Sequence, residues 1–362
     1  MSISEQQIQS ALKEIVDPNT GKDFISSRGA KNIRISGSDI ALDIELGYPA
    51  KSQIELIRKL VEDRLRLIPG VGKVGANVYS KIVPHAVQRS AKLIPGVKNI
   101  VAVASGKGGV GKSTTAVNLA LALAAEGATV GILDADIYGP SQPQMLGITG
   151  QPESRDGKTI EPMEAHGIQA MSIGFMAGED TPMVWRGPMA TQALQQLLKD
   201  TNWRDLDYLI VDMPPGTGDI QLTLAQQVPV TGAVIVTTPQ DSALLDARKG
   251  LKMFEKVGIP ILGVVENMST HICSNCGHEE HIFGSGGASR LAQENEVEVL
   301  GALPLDIRIR EQTDGGKPTV LADPQGRVAE IYRSIARRVA IKIAERAKDM
   351  SSKFPNIVVQ NT

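Results

Sequence analysis

The chain has 362 residues, a length that favours two domains over one. Its formal net charge of −2 provides no overall attraction to nucleic acid or anionic lipid, and an aromatic content of 3% leaves few side chains for stacking on bases. With two cysteines in all, Cys273 and Cys276, and a polar N-terminus, the sequence predicts a cytoplasmic protein without a disulfide scaffold.

Residues 1–90 are predicted to form a small α+β domain. Helical spacing and strand-like alternation of apolar residues predict, in order, a helix at 6–15, strands at 32–36 and 39–46, a helix at 52–67 and a strand at 74–82. Prolines and a glycine then separate two periodic regions, and residues 91–98 are interpreted as the linker.

Residues 99–362 alternate between apolar strands and helices. Strands are predicted at 100–104, 129–134, 208–213, 233–238, 261–266 and 299–303. Helices are predicted at 112–126, 190–199, 243–257 and 328–348. Most of the strands are continuous apolar runs, as expected when helices cover both faces of a sheet. The pattern predicts an α/β fold with a doubly wound, mainly parallel sheet.

A phosphate-binding loop lies between the first of these strands and the first helix. The residues that fit it are Gly106, Lys107, Gly108, Gly109, Val110, Gly111, Lys112 and Ser113, followed by Thr114. The glycines let backbone N–H groups converge on phosphate oxygens, and the helix start adds a positive dipole end. Lys112 is predicted to bind the β/γ-phosphates of ATP and Ser113 to bind Mg²⁺. The alternative is a glycine-rich turn without a ligand.

Acidic residues follow the next two strands, where parallel sheets place their ligands. Asp136 is predicted to orient the attacking water, and Asp212 to support the metal. Asp134 is a further candidate at the metal site, and the N–H of Gly216 is predicted to sense the γ-phosphate in a switch loop. For each aspartate, a helix cap or turn is the alternative interpretation.

The two cysteines form a C-x-x-C pair in a polar loop, a spacing that suits a soft metal. Two thiolates from one chain do not complete a four-thiolate cluster site, whereas a two-fold dimer brings two pairs together. Three alternatives stay open: zinc bound with His278 or His281, a redox pair, and two inert thiols.

The phosphate loop, with its second lysine Lys107, resembles the deviant Walker A loop of the MinD/ParA/nitrogenase-reductase class of ATPases. The resemblance implies that Lys107 reaches across a homodimer to the partner's nucleotide and takes part in catalysis with Lys112 and Asp136. It also implies that Asn267, which follows the strand 261–266, reads the adenine base.

Five strings narrow this resemblance to the Mrp-type (ApbC-like) iron–sulfur cluster carrier ATPases, at residues 106–114, 133–141, 185–189, 212–219 and 266–276. The family implies a transient [4Fe-4S] cluster that bridges a homodimer through Cys273 and Cys276. It further implies that ATP gates cluster loading or release, with a cluster donor and acceptor apoproteins as partners.

Residues 1–90 resemble the PaaD/SufT-like iron–sulfur assembly domain. Relatives can carry a cysteine after the second strand, where this chain has Gly47-Tyr-Pro-Ala-Lys51, so we interpret the domain as a docking module. The helix 328–348 has an apolar stripe, and its other faces carry basic residues that include Arg337; this pattern is typical of a helix that covers a sheet and exposes its basic face to solvent. No nucleic acid and no stable membrane association are expected. The alternative function is that of a MinD/ParA-like spatial-organisation ATPase with a structural zinc knuckle.

Overall fold

A computed structural model describes residues 3–85, 93–176, 187–273 and 275–352. The chain divides into two compact units, Met1–Val83 and Pro84–Thr362. Within the described ranges, no helix combines the length and the apolar character needed to cross a bilayer.

The smaller unit is a three-stranded sheet packed with two helices. Its elements are α1 (Glu5–Lys13), β1 (Ala30–Ser36), β2 (Asp39–Leu46), α2 (Ile54–Arg66) and β3 (Val74–Ser80), with a 3₁₀ turn at Lys51–Gln53. The order is β1-β2-β3, with β1 antiparallel and β3 parallel to β2. A capping box between Ser4 and Gln7 begins α1. Alternate residues of β2 are buried, which explains the period of two in the sequence.

The larger unit contains an eight-stranded sheet. Its strands are β4 (Val97–Ala104), β5 (Val130–Asp134), β6 (Met163–Ala165), β7 (Ile168–Ser172), β8 (Leu206–Asp212), β9 (Gly232–Thr237), β10 (Ile261–Glu266) and β13 (Val299–Ala302). A separate two-stranded hairpin consists of β11 (His271–Ile272) and β12 (Glu279–Glu280). β4 thus begins two residues before the predicted start of this domain at 99.

Nine helices of this unit lie in the described residues. They are α3 (Lys112–Ala125), α4 (Gln142–Met145), α5 (Gly187–Asp200), α6 (Asp219–Gln227), α7 (Asp241–Lys256), α8 (Gly287–Glu294), α9 (Ile307–Asp314), α10 (Thr319–Ala322) and α11 (Arg327–Ser352). A 3₁₀ turn spans Ile173–Phe175. β4, β5, β8 and β9 are buried almost throughout, as their continuous apolar runs predict.

The sheet order is β13-β10-β9-β4-β8-β5-β7-β6. All neighbouring pairs are parallel except β6 and β7, which are antiparallel at one edge. This confirms the predicted α/β class with a doubly wound, mainly parallel sheet. Because β4, β5, β8, β9 and β10 run in the same direction, the loops that follow them meet at one edge of the sheet.

α11 packs on α3 and β13 and buries Ile335, Val339 and Ile343. Arg337, predicted on a solvated face, is instead buried. Its guanidinium donates to Glu126 Oε1 at 2.5 Å and to Glu330 Oε1 at 2.8 Å. The prediction for this residue was wrong because a basic residue beside the apolar stripe can point inward when a buried carboxylate pairs with it.

Candidate functional site

The phosphate loop connects β4 to α3 and takes its shape from its glycines. Gly109 and Gly111 have φ values of +80°, in the left-handed region that favours glycine. Gly111 is also the N-cap of α3, so the helix dipole points into the loop. Gly106 lies against α7, where an added Cβ would be 2.5 Å from the backbone nitrogen of Ala247. Gly108 has open space instead.

Lys112, the first residue of α3, pairs with Asp212 at the end of β8. The two side chains are almost completely buried, and the Lys112 ammonium also donates to Ser113 Oγ at 3.0 Å. The structure therefore brings together the predicted phosphate lysine, the predicted magnesium hydroxyl and the predicted metal-supporting aspartate. Thr114 is half-buried in the same helical turn.

Gln142, the first residue of α4, joins this group, and the sequence analysis missed it. Its Nε2 donates to Asp212 Oδ2 at 2.9 Å and to the backbone oxygen of Ser113 at 3.2 Å. The proline at residue 143 in the first turn of α4 is the one local signal for a helix start here. Nothing in the glutamine's sequence neighbourhood indicates its partners.

Asp134, at the end of β5, is completely buried. Its carboxylate accepts the backbone N–H groups of Asp136, Ser141 and Gln142 at 2.9–3.1 Å. Burial raises the pKa of Asp134 to about 7, and the charge of Asp212 adds to this effect. We conclude that Asp134 holds the loop 135–142 in place through these three hydrogen bonds.

Asp136, the predicted water-orienting residue, is half-buried in the loop after β5. Burial raises its pKa, the Lys112 ammonium lowers it, and the charge of Asp212 raises it again; the net shift is upward. The opposing influences of Lys112 and Asp212 show that Asp136 belongs to the same electrostatic cluster.

Gly216 follows β8 in the predicted switch loop and has a φ of +100°. Its N–H donates to the backbone oxygen of Ser105 at 2.9 Å. Ser105 directly precedes the phosphate loop, so this hydrogen bond links the two segments. An interaction of the Gly216 N–H with a γ-phosphate requires that it leave Ser105.

Lys107 is half-buried, and its ammonium donates to Ser242 Oγ at 3.2 Å at the start of α7. The hydrogen bond joins two groups near solvent, so it contributes little free energy and leaves the lysine able to move. The predicted reach of Lys107 across a dimer stays a prediction.

Asn267 supports the phosphate loop directly. Its Nδ2 donates to the backbone oxygen of Val110 at 2.9 Å, and its Oδ1 accepts the N–H of Met268 at 2.9 Å. Met268 has a φ of +55°, which turns the chain sharply after β10. The predicted role of Asn267 in reading adenine stays a prediction, whereas its contact with the loop is a structural fact.

Cys273 and Cys276 lie in the turn between β11 and β12. The Cys273 N–H donates to His278 O at 2.9 Å and the Gly277 N–H donates to Cys273 O at 2.8 Å. Cys273 is half-buried, and Cys276 is exposed. Hydrogen bonds from the backbone N–H groups of Cys276 and Asn275 lower the pKa of the Cys273 thiol. The lowered pKa favours the thiolate, which is the form that binds a metal.

Two of the histidines near the cysteines contact backbone oxygens through their rings. His271 Nδ1 lies 3.1 Å from Leu305 O, and His281 Nδ1 lies 2.8 Å from Ser269 O. Within the described residues, no three histidine, cysteine or acidic side chains lie close enough together to hold a metal ion. Among the residues that the structure describes, the hairpin therefore presents two thiols and no third ligand positioned beside them.

The residues at the phosphate loop fit a magnesium nucleotide. The loop after β4 has open space at Gly108 and Gly109, which lets a ligand approach the backbone. Ser113 and Asp212 supply the oxygen donors that Mg²⁺ prefers. Gln142 Oε1 is a buried oxygen that accepts no hydrogen bond from any described residue. Ser113 and Asp212 belong to the donor set that the sequence predicts, whereas Gln142 does not, and the binding of Mg²⁺ here stays a prediction.

Two family models match the chain. The model described as "NUBPL iron-transfer P-loop NTPase" matches residues 96–340. The model described as "Iron-sulfur cluster assembly protein" matches residues 5–78. The matches fall in the larger and the smaller unit, respectively.

Curated relatives cover most of the chain. An "Iron-sulfur cluster carrier protein" of Haemophilus influenzae is 50% identical over 94% of this chain and 92% of its own length. One of Pseudomonas fragi is 63% identical over 74% of this chain and 94% of its own length. The mouse "Iron-sulfur cluster transfer protein NUBPL" is 52% identical over 70% of this chain and 80% of its own length.

Solved structures resemble the larger unit. A nucleotide-binding protein of Archaeoglobus fulgidus in complex with ADP is 37% identical, with a TM-score of 0.57 over 66% of this chain and 93% of that one. The cell division ATPase MinD of Pyrococcus furiosus is 24% identical, with a TM-score of 0.51 over 67% of this chain and 98% of that one. The likeness to MinD shows a shared fold.

Proposed function

Because the chain belongs to the family of NUBPL iron-transfer P-loop NTPases, we propose that it uses ATP to load an iron–sulfur cluster and transfer it to apoproteins. The observation that carries this proposal is the hairpin of β11 and β12, which presents two thiols. It follows Asn267, the residue that contacts the phosphate loop, by a few residues. The names of the curated relatives support the same activity. The family resemblance stated from the sequence is thereby confirmed.

The cargo is a [4Fe-4S] cluster shared by two copies of the chain. Each protomer supplies Cys273 and Cys276, and a homodimer completes the four thiolates of such a cluster. The position of Cys276 at the surface supports this arrangement, since an exposed thiol is open to a second chain. The lowered pKa of the Cys273 thiol favours its thiolate form, which binds iron.

ATP and Mg²⁺ bind at the phosphate loop. Lys112 would bind the β/γ-phosphates, Ser113 and Asp212 would hold the metal ion, and the bound metal would supply positive charge against the phosphates. Asp136 orients the attacking water. Lys107 leaves Ser242 to reach the partner's nucleotide, and Gly216 exchanges Ser105 for the γ-phosphate. Both movements break a single hydrogen bond, so bound nucleotide can drive them.

The segment 266–269 couples the nucleotide to the cluster. Asn267 holds the phosphate loop at Val110 O, and two residues later Ser269 O accepts the ring N–H of His281 in the cysteine segment. A shift of the phosphate loop at Val110 therefore reaches the cysteine hairpin through three consecutive residues. Hydrolysis then changes how the hairpin holds its cargo.

The smaller unit docks the cluster donor or an acceptor apoprotein. The outer face of its α2 exposes Leu56 and Leu60, while Ile57, Val61 and Leu65 are buried beneath. Exposed leucines one helical turn apart are suited to a protein partner. The family model that matches residues 5–78 supports a role in cluster assembly.

Anaerobic reconstitution with iron and sulfide tests the proposal. We expect about four irons per dimer and a broad absorption band near ~400 nm for the wild type, both lost in Cys273→Ala. His278→Ala, on the same hairpin, is the matched control and should load fully. One tightly bound zinc per chain that depends on His278 or His281 would instead identify a zinc knuckle and refute the cluster assignment.

Transfer kinetics test the coupling separately. A Lys112→Ala variant that loads its cluster should transfer it to an apoprotein at a rate that no longer responds to ATP. Asn267→Ala should bind nucleotide and load a cluster, with the response to ATP reduced. Equal transfer rates for wild type and Lys112→Ala in the presence of ATP would exclude the coupling, and would leave cluster loading intact as a finding.

A further inference from the structure

Gln142 occupies a central position between the loop after β5, the end of β8 and the start of α3. It is almost completely buried. Its backbone N–H donates to Asp134 Oδ2 at 3.0 Å, and its side chain donates to Asp212 Oδ2 and to Ser113 O. One residue therefore contacts both buried carboxylates and the residue predicted to bind the metal.

The orientation of the Gln142 amide follows from these partners. Asp212 Oδ2 and Ser113 O are both acceptors, so the atom that faces them is the NH₂ group, and its two hydrogens are both used. The remaining atom is the carbonyl Oε1, an acceptor with two lone pairs. It is buried and receives no hydrogen bond from any residue in the described part of the chain.

A buried amide oxygen without a donor costs free energy, so a residue that served packing alone would be better replaced by an apolar one. The donor that suits this position is a water molecule bound to Mg²⁺. Such a water uses its lone pair on the metal and directs both hydrogens outward, where they need acceptors. Asp212, which Gln142 contacts directly, is the predicted metal-supporting residue.

We infer that Gln142 is a positioning residue of the nucleotide site, whose Oε1 accepts a hydrogen bond from a water ligand of Mg²⁺ while its NH₂ group holds Asp212 and the start of α3. The inference rests on the proposed binding of a magnesium nucleotide and extends it to a residue in the loop that carries Asp136. Metal binding thereby fixes the position of that loop, and with it the position of Asp136.

Calorimetric titration with ADP tests this role without using hydrolysis. The quantity to compare is the magnesium enhancement, defined as the ratio of the ADP dissociation constants measured in excess EDTA and in saturating Mg²⁺. Gln142→Met keeps the side-chain length and removes both the donors and the acceptor. Gln142→Glu keeps the acceptor oxygen and replaces the NH₂ group, which faces Asp212 Oδ2 and Ser113 O, by a second oxygen. Gln144→Met, an exposed position on the same short helix, is the matched control.

We expect Gln142→Met to lose about tenfold of the magnesium enhancement, with ADP affinity in EDTA within about twofold of the wild type, as for the loss of a hydrogen bond to a charged group. Gln142→Glu should keep the enhancement, because its buried carboxyl is protonated beside Asp212, donates to Asp212 through its hydroxyl and still accepts from metal-bound water through its other oxygen. Gln144→Met should match the wild type in both conditions.

Three results would overturn the inference. They are an unchanged enhancement in Gln142→Met, an equal loss in Gln142→Met and Gln142→Glu, and an equal loss of ADP affinity with and without Mg²⁺. The second would assign the effect to the NH₂ group, and the third would show a structural role. A wild-type protein that binds no ADP would instead contradict the proposed function itself, so the two failures are distinguishable.

Discussion

Replacing Gly106 by alanine tests how the phosphate loop is held against α7. An added Cβ would lie 2.5 Å from the nitrogen of Ala247 and would overlap the carbonyl group of Asp246. These atoms belong to the backbone of a 16-residue helix, so no side-chain rotation relieves the overlap. To restore ordinary contact with the Asp246 carbonyl group, the loop or the helix must move by more than about 1 Å.

Overpacking of this kind lowers the free energy of unfolding by about 1–3 kcal/mol. Because the neighbouring atoms belong to a rigid backbone, we expect Gly106→Ala to lose about 3 kcal/mol. For a unit of this size, that loss corresponds to a decrease of roughly 6–10 °C in the unfolding midpoint. Gly108→Ala is the matched control in the same loop, because its Cβ would meet no heavy atom within 4 Å. Its stability should stay within about 0.5 kcal/mol of the wild type.

Tryptophan fluorescence during thermal unfolding, measured without nucleotide, provides the assay. Neither of the two tryptophans lies in the smaller unit, and Trp203 is buried in the larger one, so its emission reports on the unit that contains the loop. Equal midpoints for Gly106→Ala and Gly108→Ala would refute the close approach of the loop to α7.

Three further predictions follow from the charges of the larger unit. In the metal-free Cys276→Ser variant, which keeps a hydroxyl donor, alkylation of Cys273 should show a midpoint below the ordinary pKa of a cysteine thiol; a midpoint at or above that value would contradict the hydrogen-bonded thiolate. Asp134 has a pKa of about 7 in the folded protein against 3.8 for an unperturbed aspartate. The folded state therefore binds the extra proton, so this residue's contribution to stability should fall as pH rises from 3.8 towards 7. Unfolding midpoints measured across that range should show the decline, and Asp134→Asn should flatten it; an equal slope in both proteins would assign the decline to other groups. Arg337→Met should cost about 3 kcal/mol by chemical denaturation, because the buried carboxylate of Glu126 loses its ion-pair partner. The double variant Arg337→Met, Glu126→Gln should recover part of that loss, and no recovery would show that the arginine acts through packing alone.

The sheet of the larger unit could be predicted from the sequence because its strands are buried on both faces. Each of the six predicted strands overlaps an observed one, and the strand predicted at 261–266 has the observed bounds. A continuous apolar run reports burial directly, whatever the partners are. The phosphate loop was predictable for a similar reason, since its chemistry resides in consecutive residues.

The elements that the sequence did not predict are short or polar. β6, β7, β11 and β12 have two to five residues each, α4 and α10 have four, and α6, α8 and α9 have eight or nine. Segments of this length are stabilised by tertiary contacts rather than by their own propensity. Gln142 was missed for this reason, because its role depends on Asp212, which lies 70 residues away. The predicted string at 185–189 lies partly outside the described residues, at positions 185 and 186.

The connection between the two sites depends on contacts of the same long-range kind. Glu266, the last residue of β10, is buried, and its carboxylate accepts Ser269 Oγ at 2.8 Å and the Ala288 N–H at 2.7 Å. Ser269 precedes the cysteine hairpin, and Ala288 follows it in the first turn of α8. The Glu266 carboxylate therefore connects the two ends of the segment that carries both thiols. Its contact with Ala288 is strengthened because the N-terminus of α8 has a positive dipole end.

The next residue after Glu266 is Asn267, which holds the phosphate loop through a contact that spans 157 residues of sequence. The residues that contact the phosphate loop and the cysteine segment thus lie side by side at the end of β10. Because β10 is hydrogen-bonded on both sides, to β9 and β13, it is a rigid element against which either support can move. This arrangement gives the proposed coupling a short route, in which movement of the phosphate loop is transmitted over three residues and not across the whole domain.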